Sequence, residues 1–167
     1  MTDLTSLFTD LVRLETRLYN VLDARLKAEH GLPLGQFEFL RVIAARGNAR
    51  VYDLAHDIAI TVGATSKAVD RLESAGRCRR TANPHDRRSS LVELTPAGAE
   101  ILAAATPTVE AELNTWVGSV LPAANLELLA TMLSMLRQRA ESDPRTDRTE
   151  PAATTRQAPG PLDTPQT

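Results

Sequence analysis

The segment spanning residues 60–94 constrains the fold of this chain more than any other part of the sequence. It contains seven Lys and Arg side chains against four carboxylates, a local charge of +3 in a chain whose formal net charge is −2. Clustered cations on an acidic chain indicate that a polyanion binds there, because phosphate contacts supply most of the affinity of proteins for nucleic acids. A solvated charged surface is the alternative interpretation of the charge alone.

The first half of this segment has the pattern of a helix with one polar side. Thr61 is suited to cap a helix over residues 62–75, which Gly76 ends. Val69 and Leu72 fall on one side of that helix. The opposite side carries hydroxyl groups and charges, on Ser66, Lys67, Asp70 and Arg71. A helix of about 14 residues with such a surface is about 21 Å long and suits the major groove of DNA.

The second half of the segment is typical of a β-hairpin. Residues 77–81 and 89–95 predict two strands, and the turn-rich residues 82–86 predict the connection between them. Because the hairpin is rich in arginine, we expect its loop to lie across the DNA backbone beside the groove that the helix enters. Helix and hairpin together predict one binding surface.

Upstream of this segment, the apolar pattern predicts three helices. Apolar residues recur every three or four positions over 4–29 and predict a long amphipathic helix. These positions are Leu4, Leu7, Phe8, Leu11, Leu14, Leu18, Leu22 and Leu26. A second helix is predicted over 34–45, and a short third helix over 54–58 with Asp53 as its cap. The short helix and the helix over 62–75 are joined by a tight connection, which predicts a helix-turn-helix.

Downstream of the hairpin, the sequence predicts two more helices and a tail. Thr95-Pro96 is a cap followed by proline at the first helical position, and this helix continues past a bend at Pro107 until Pro122 breaks it. The last helix is predicted over 123–140. The terminal helices have longer apolar stripes than a compact winged helix buries, so we expect them to pack against a second copy of the chain. Five of the ten prolines lie within 141–167, which predicts a disordered tail.

Composition argues against several other classes of protein. Aromatic residues make up 4% of the chain, too few for the stacking surfaces that bind single-stranded nucleic acids. The single cysteine, Cys78, excludes an internal disulfide framework and a cysteine-based zinc site, and His30, His56 and His85 are isolated from one another. The sequence contains no phosphate loop and no catalytic constellation, so we expect no enzyme activity, no metal and no cofactor.

The sequence also predicts where the protein resides. No apolar run approaches the roughly 18 residues that a membrane span needs. The first twelve residues carry Asp3 and Asp10 and lack a basic lead-in of the kind that begins a secretory signal. We therefore expect a cytoplasmic protein with no membrane partner.

Several short motifs, taken in order, resemble a known family. The run from Ser66 to Gly76 reads S-K-A-V-D-R-L-E-S-A-G and is followed by Arg79-Arg80, by Asp86-Arg87-Arg88 and by Leu94-Thr95-Pro96-Ala97-Gly98. This combination resembles the MarR family of bacterial winged helix-turn-helix transcription regulators, and residues 31–37 are similar to that family's entry into its second helix. The resemblance spans residues 4–140.

The fold that the resemblance implies is mostly α with a small β-wing. It consists of a winged helix-turn-helix over 34–95 with N- and C-terminal dimerisation helices over 4–29 and 96–140. These parts would form a single domain over 1–140, and the tail over 141–167 lies outside it.

The resemblance also implies a function. A homodimer would place one recognition helix from each subunit in a major groove of a pseudo-palindromic operator on double-stranded DNA. We expect a sequence-specific transcription regulator, a repressor that a small-molecule effector releases from DNA. One alternative is a winged-helix module that binds a protein partner through its basic surface. Another is a regulator that senses oxidants through Cys78.

The residues of the DNA site follow by position from the resemblance. Thr65, Ser66, Lys67 and Arg71 would face bases or phosphates. Arg88 would enter the minor groove, and Asp86 would hold its side chain in place by an ion pair. The full predicted set adds the helix cap and the other cations of the hairpin: Thr61, Thr65, Ser66, Lys67, Arg71, Arg77, Arg79, Asp86, Arg87 and Arg88.

Several positions depart from the family pattern or leave two interpretations open. Arg77 and Cys78 stand where the family usually has apolar residues, and we expect Arg77 to extend outward and widen the basic patch. Cys78 is either a thiolate stabilised by neighbouring arginines or, as we favour, a small core residue that strand alternation turns inward. Tyr19 and Trp116 either line an effector pocket or, as we favour, pack in the core. The first turn of the recognition helix, residues 62–64, offers no long polar side chain, which leaves more of the specificity to DNA shape.

Overall fold

The computed structural model describes residues 3–86 and 89–143. Within these ranges the chain forms six α-helices, one π-helical turn and a three-stranded antiparallel sheet. The helices are α1 (Leu4–His30), α2 (Leu34–Arg46), α3 (Val51–Ile58), α4 (Val62–Ser74), α5 (Pro96–Leu113) and α6 (Ala123–Glu141). The strands are β1 (Ala49–Arg50), β2 (Cys78–Ala82) and β3 (Ser90–Leu94). The predicted fold class, mostly α with a small β-wing, is confirmed.

Side-chain hydrogen bonds determine where the first two helices begin. The Asp3 carboxylate accepts a hydrogen bond from the Thr5 N–H at 3.0 Å at the start of α1. The Asp23 carboxylate, in the second half of α1, accepts one from the Leu34 N–H at 3.0 Å. This second bond joins two helices, so it fixes the start of α2 against α1.

Helices α3 and α4 form the predicted helix-turn-helix, with one correction at its start. Asp53 is not the cap before α3, because the helix begins at Val51 and Asp53 occupies its third position. Its carboxylate accepts a hydrogen bond from the Arg50 N–H at 3.1 Å. A side chain of the first turn thus pairs with a backbone N–H at the helix start that would otherwise lack a partner. Ala59 follows α3 with a left-handed φ of 57°.

The ends of α4 follow the predicted signals. The Thr61 hydroxyl accepts a hydrogen bond from the Ala64 N–H at 3.2 Å, which confirms Thr61 as the cap. The helix ends at Ser74, and Gly76 adopts a φ of 68°, in the left-handed region that favours glycine. The chain therefore turns sharply at Gly76 and enters β2.

The sheet has the strand order β1-β3-β2, and all its pairs are antiparallel. The predicted hairpin is β2 and β3, called the wing below, with Cys78 opposite Leu94 and Thr81 opposite Leu91. The two-residue strand β1 pairs with the other edge of β3. Because neighbouring residues of a strand face opposite sides, Cys78 and Val92 point into the core and Arg79 points away from it.

The core lies between α2, α3, α4 and the sheet, with α1 and α5 packed on its other side. Its fully buried apolar side chains come from almost every element: Leu26, Leu32, Leu40, Ile43, Leu54, Val69, Leu72 and Val92. No residue of α6 is buried. The last helix therefore contributes nothing to the core of a single subunit.

The start of α5 is bound to the turn between α4 and β2. The Thr95 hydroxyl donates to the Gly76 carbonyl at 2.6 Å and accepts from the Gly98 N–H at 3.0 Å. The Thr95 N–H donates to the Arg77 carbonyl at 3.2 Å. Gly98 packs directly on the Arg77 backbone, where the Cβ of any other residue would overlap the Arg77 carbonyl. The Leu-Thr-x-x-Gly motif is thus the joint between the wing and the last two helices.

The region after α5 differs from its prediction. Instead of one helix that continues to Pro122, α5 ends at Leu113 and a π-helical turn occupies Asn114–Gly118. Large apolar side chains are exposed on the first half of α1, on this turn, on the connection after it and on α6: Leu4, Leu7, Phe8, Leu11, Leu14, Trp116, Val120, Leu128, Met132, Met135 and Leu136. So large an exposed apolar area is unusual for a protein that works as a monomer.

The last helix extends to Glu141, so that residue belongs to α6 and not to the predicted tail. Ser142 and Asp143 follow the helix and donate backbone hydrogen bonds to Gln138 and Ala140, and residues 144–167 of the predicted disordered tail lie outside the described residues. Among the described helices, none is by itself both long enough and apolar enough to cross a membrane. The consecutive segments Pro96–Gly118 and Ala123–Glu141 reach that length and apolar content together, but they meet at an angle of 104°.

Candidate nucleic-acid interface

The outer surface of α4 is exposed along its whole length. Thr65, Val69 and Leu72 point into the core, and they recur at the spacing of one helical face. The opposite side is exposed and carries Gly63, Ala64, Lys67, Asp70, Arg71 and Ser74. Small residues thus form the first turn of this surface, and charged residues form its middle.

Lys67 and Arg71 are the free cations of this surface. They are four residues apart, so their side chains lie next to each other on the helix. Both side chains are exposed, and neither side chain forms a hydrogen bond or an ion pair within residues 3–86 and 89–143. Their charge is therefore available to a partner outside the subunit.

Thr65 does not lie on this surface, which corrects its predicted role. Its side chain has no exposed area, and its hydroxyl donates to the Thr61 carbonyl at 3.0 Å. It therefore cannot reach a base or a phosphate from this position. Ser66 is half-buried at the flank of the helix, and Thr61 is exposed at its start.

Arg77 is also held inside the subunit, contrary to the prediction that it widens the basic patch. Its guanidinium donates to the Gln36 side-chain oxygen of α2 at 2.6 Å, and the residue is half-buried. Gln36 was not singled out from the sequence, since the two residues are 41 positions apart. Their bond connects the start of the wing to the second helix.

The next two arginines of β2 differ from each other in their partners. Arg79 is exposed and pairs with Glu93 on the neighbouring strand at 2.7 Å. Arg80 points the other way, toward α4, where it pairs with Asp70 at 2.6 Å and with Glu73 at 2.5 Å. Arg79 thus lies on the outer side of the wing, and Arg80 connects the wing to the recognition helix.

The tip of the wing is described in part. Asp86 is exposed, and Arg87 and Arg88 lie outside the described residues. Arg50 of β1, which no sequence motif marks, lies near this tip. Hydrogen bonds to Asp53 raise the pKa of the Arg50 guanidinium, and the negative charge of Asp86 raises it further. The pairing of β1 with β3 brings Arg50 there, and short strands leave little signal in a sequence.

Cys78 is a core residue. Its side chain is 2% exposed, and its thiol donates weakly to the Val69 carbonyl at 3.7 Å. Burial raises the pKa of this thiol to about 11, the charge of Glu73 adds to the rise, and Arg80 opposes it. The thiol is therefore protonated at neutral pH, which favours the structural interpretation over a reactive thiolate.

A cavity of about 440 Å³ lies between α1, α2 and α4. Apolar and charged side chains line it together: Tyr19, Asp23, Lys27, Pro33, Phe39, Ala68, Arg71 and Leu72. Lys27 pairs with Asp23 at 2.6 Å, and this hydrogen bond is the main reason that the pKa of Asp23 is lowered. Arg71 therefore borders both the outer surface of α4 and this cavity.

The two aromatic residues considered for a pocket have different positions. Tyr19 lines the cavity between α1 and α4, so core packing is the wrong interpretation for it. Trp116 lies in the π-helical turn, is 52% exposed and does not line that cavity.

The histidines show no metal-binding arrangement. Within the described part of the chain, no three His, Cys, Asp or Glu side chains are placed to hold an ion. His30 instead lies 2.9 Å from the Thr108 hydroxyl of α5, and His85 is exposed in the wing loop.

Comparison with known proteins agrees with this geometry. Residues 32–90 match the model of the MarR family. The multiple antibiotic resistance protein MarR of Salmonella typhimurium is 33% identical over 107 residues, which cover 60% of this chain and 74% of that protein.

Solved structures are similar over more of the chain. The Streptomyces coelicolor MarR family transcriptional regulator Sco3205, in complex with DNA, has a TM-score of 0.77 at 26% identity and covers 86% of this chain and 90% of its own. A cysteine mutant of MarR from E. coli, complexed with operator DNA, has a TM-score of 0.69 at 25% identity and covers 81% of this chain and 99% of its own. This chain belongs to the MarR family, and it is a winged-helix DNA-binding transcription regulator rather than an enzyme.

Proposed function

We propose that this regulator is a homodimeric repressor that binds a pseudo-palindromic operator through α4 and the wing of each subunit. The observation that carries the proposal is the pair of exposed cations on the outer surface of α4, Lys67 and Arg71, whose side chains have no partner in the part of the chain that the structure describes. Free cations on a helix that projects from the core are the groups that phosphates and guanine edges attract. We place the protein in the cytoplasm, where a bacterial regulator meets DNA.

The shape of α4 supports entry into a major groove. With 13 residues the helix is about 20 Å long, and Gly63 and Ala64 at its start allow close approach to the DNA. These two side chains offer no hydrogen bonds, so we infer that DNA shape carries part of the specificity. Ser66 and Thr61 lie at the edge of the contact. We expect Arg79, Arg87 and Arg88 to bind the flanking backbone and minor groove, with Asp86 holding the Arg88 side chain by an ion pair.

The exposed apolar residues of α1 and α6 support a dimer. Helix α6 has no buried residue, so contacts within one subunit do little to stabilise it. In a dimer with a two-fold axis, each subunit would cover the exposed apolar face of the other subunit's α6. The two α4 helices then meet half-sites about 34 Å apart, one turn of DNA. We infer that the single domain predicted over 1–140 extends to the end of α6 at Glu141 and is the unit that repeats in the dimer.

The cavity between α1, α2 and α4 supports release by a small-molecule effector. Its volume of about 440 Å³ suits a small ligand, with Tyr19 and Pro33 for an apolar ring and Arg71 for a negative charge. An anion bound to Arg71 there would take this side chain away from DNA. By linkage, if the effector lowers the affinity of the protein for DNA by some factor, bound DNA lowers the affinity for the effector by the same factor.

A variant of Lys67 tests the DNA site. Lys67→Gln removes one unpaired cation from each subunit, so we expect the slope of log affinity against log salt to become shallower by about 1.8, from about 0.9 for each lost phosphate contact. The assay is fluorescence anisotropy with a duplex that carries the inverted repeat nearest the start of the protein's own gene.

Arg41→Gln is the matched control, because Arg41 is also exposed but is paired with Glu38 and lies on α2, outside the proposed DNA surface. We expect a smaller change of slope for it than for Lys67→Gln. A wild-type protein whose affinity for the duplex does not depend on salt would contradict the proposal and favour a winged-helix module that binds a protein partner.

A simple aromatic anion tests the effector site. We expect millimolar benzoate to weaken duplex binding by the wild-type protein, and to do so less when Tyr19→Ala removes an exposed aromatic wall of the cavity. Equal sensitivity of both proteins to benzoate would place the effector elsewhere.

A further inference from the structure

Arg80 makes three hydrogen bonds to two carboxylates of the recognition helix. Its guanidinium donates to Asp70 at 2.6 Å and to Glu73 at 2.5 Å, and its backbone N–H donates to the second oxygen of Glu73 at 2.9 Å. The Arg80 side chain is 25% exposed, so it lies mostly between the wing and α4. These hydrogen bonds connect β2 to the last turns of α4.

The bond to Asp70 affects the charges next to it. Asp70 lies three residues after Lys67 on the same helix, at a spacing where a carboxylate and an ammonium group readily pair. Such a pair would neutralise Lys67 on the surface proposed to bind DNA. Asp70 pairs with Arg80 instead, and Lys67 has no ion-pair partner within the described ranges.

The bond to Glu73 affects the position of the wing. Glu73 accepts from both the backbone and the side chain of Arg80, and charge-assisted hydrogen bonds of this kind are shorter and stronger than neutral ones. Partial burial disfavours the charged guanidinium, but the bonds to Asp70 and Glu73 outweigh it, so the pKa of Arg80 is raised. Arg80 therefore stays charged and bound to α4 at any physiological pH.

We propose that Arg80 is a positioning residue for DNA binding: it pairs with Asp70 and Glu73, offsets one of their two negative charges and holds both carboxylates at the wing strand, so that Lys67 and Arg71 present their charge to DNA. The inference rests on the proposed function, and it assigns Arg80 no contact with DNA. A direct bond between Arg80 and a phosphate is the competing explanation for any loss of affinity on its removal.

Two variants distinguish these explanations. Arg80→Gln leaves the carboxylates of Asp70 and Glu73 without their cation, next to the phosphates. The triple variant Arg80→Gln, Asp70→Asn, Glu73→Gln also removes both negative charges, and its amide groups can still form hydrogen bonds between β2 and α4. Arg41→Gln is the control, since it removes an exposed, ion-paired cation of α2 outside the proposed DNA surface and leaves these bonds intact.

The measurement is duplex affinity at several salt concentrations, on the same inverted-repeat duplex and after thermal unfolding has shown that each variant is folded. We expect Arg80→Gln to bind about tenfold more weakly, because a carboxylate is left close to phosphate at an intermediate dielectric. The triple variant should return to within about threefold of the wild type and keep the wild-type salt slope.

The opposite result for the triple variant would overturn the inference. If it binds as weakly as Arg80→Gln and its salt slope is shallower by about 1.8, Arg80 binds phosphate directly in both subunits. Wild-type affinity in Arg80→Gln would also overturn it. A wild-type protein without salt-dependent binding would instead refute the proposed function itself, so the two failures are distinguishable.

Discussion

Replacement of Gly98 by alanine should destabilise this protein although it adds a single methyl group. The Cβ would overlap the Arg77 carbonyl oxygen and lie 2.8 Å from the carbonyl carbon, whereas ordinary contacts begin at 3.4 Å. Both atoms belong to the backbone, so no side-chain rotation relieves the overlap. The first turn of α5 would have to move away from the turn between α4 and β2.

The size of the effect follows from the contacts at this joint. Overpacking costs about 1–3 kcal/mol, and movement of α5 would weaken the hydrogen bonds from Thr95 to Gly76 and Arg77, at about 1 kcal/mol each. The better helix propensity of alanine returns up to about 1 kcal/mol. We therefore expect a loss of about 2–4 kcal/mol in the free energy of unfolding and a decrease in Tm on the order of 10 °C.

The assay is thermal and urea unfolding followed by circular dichroism at fixed protein concentration, because dimerisation makes Tm depend on concentration. Gly63→Ala is the matched control: it lies in the first turn of α4, and a Cβ there would meet nothing within 4 Å. We expect it to be neutral or to gain up to about 1 kcal/mol from helix propensity. Equal stability of Gly98→Ala and the wild type would refute the argument that this close approach holds the joint.

The remaining predictions concern the cysteine and the dimer. At pH 8 the native protein should react with iodoacetamide at least about a hundredfold more slowly than the unfolded protein. The reasons are that a thiol pKa of about 11 leaves little Cys78 thiolate and that burial blocks access to it. Equal rates would make Cys78 a candidate oxidant sensor again. Leu136→Asp should convert the dimer to a monomer at micromolar concentration, as measured by light scattering, because it places a charge on the exposed apolar side of α6. Gln138→Asp on the same helix is the control, and a dimer that survives Leu136→Asp would place the interface elsewhere.

Local signals in the sequence were sufficient to predict most of the fold. Thr61 and the Thr95-Pro96 pair act at short range. The threonine side chains accept hydrogen bonds from free N–H groups at a helix start, and Pro96 has no N–H that would need a partner. Both helices begin where these residues indicate. The alternation of β2 and β3 likewise depends on neighbouring residues alone. The start of α3 was missed because Asp53 can cap a helix from either side of its first turn.

The site was harder to predict because it depends on partners that are distant in the sequence. The order of residue types made Thr65 and Arg71 equal candidates, but α4 packs with Thr65 inward. Arg77 was expected to reach solvent, and the position of Gln36 beside it appears only when α2 and β2 are packed together. The same holds for Arg80, whose two carboxylates belong to another element. A helix has several possible rotations about its axis, and the tertiary fold selects one.

The central claim is that two subunits present Lys67 and Arg71 to one double helix. The most direct test is a titration of the wild-type protein onto the inverted-repeat duplex at several salt concentrations, with the stoichiometry measured in the same experiment. Four free cations predict a slope of log affinity against log salt of about −3.6 or steeper, with two subunits bound to each duplex. A flat salt dependence, or one subunit bound to each duplex, would contradict the account.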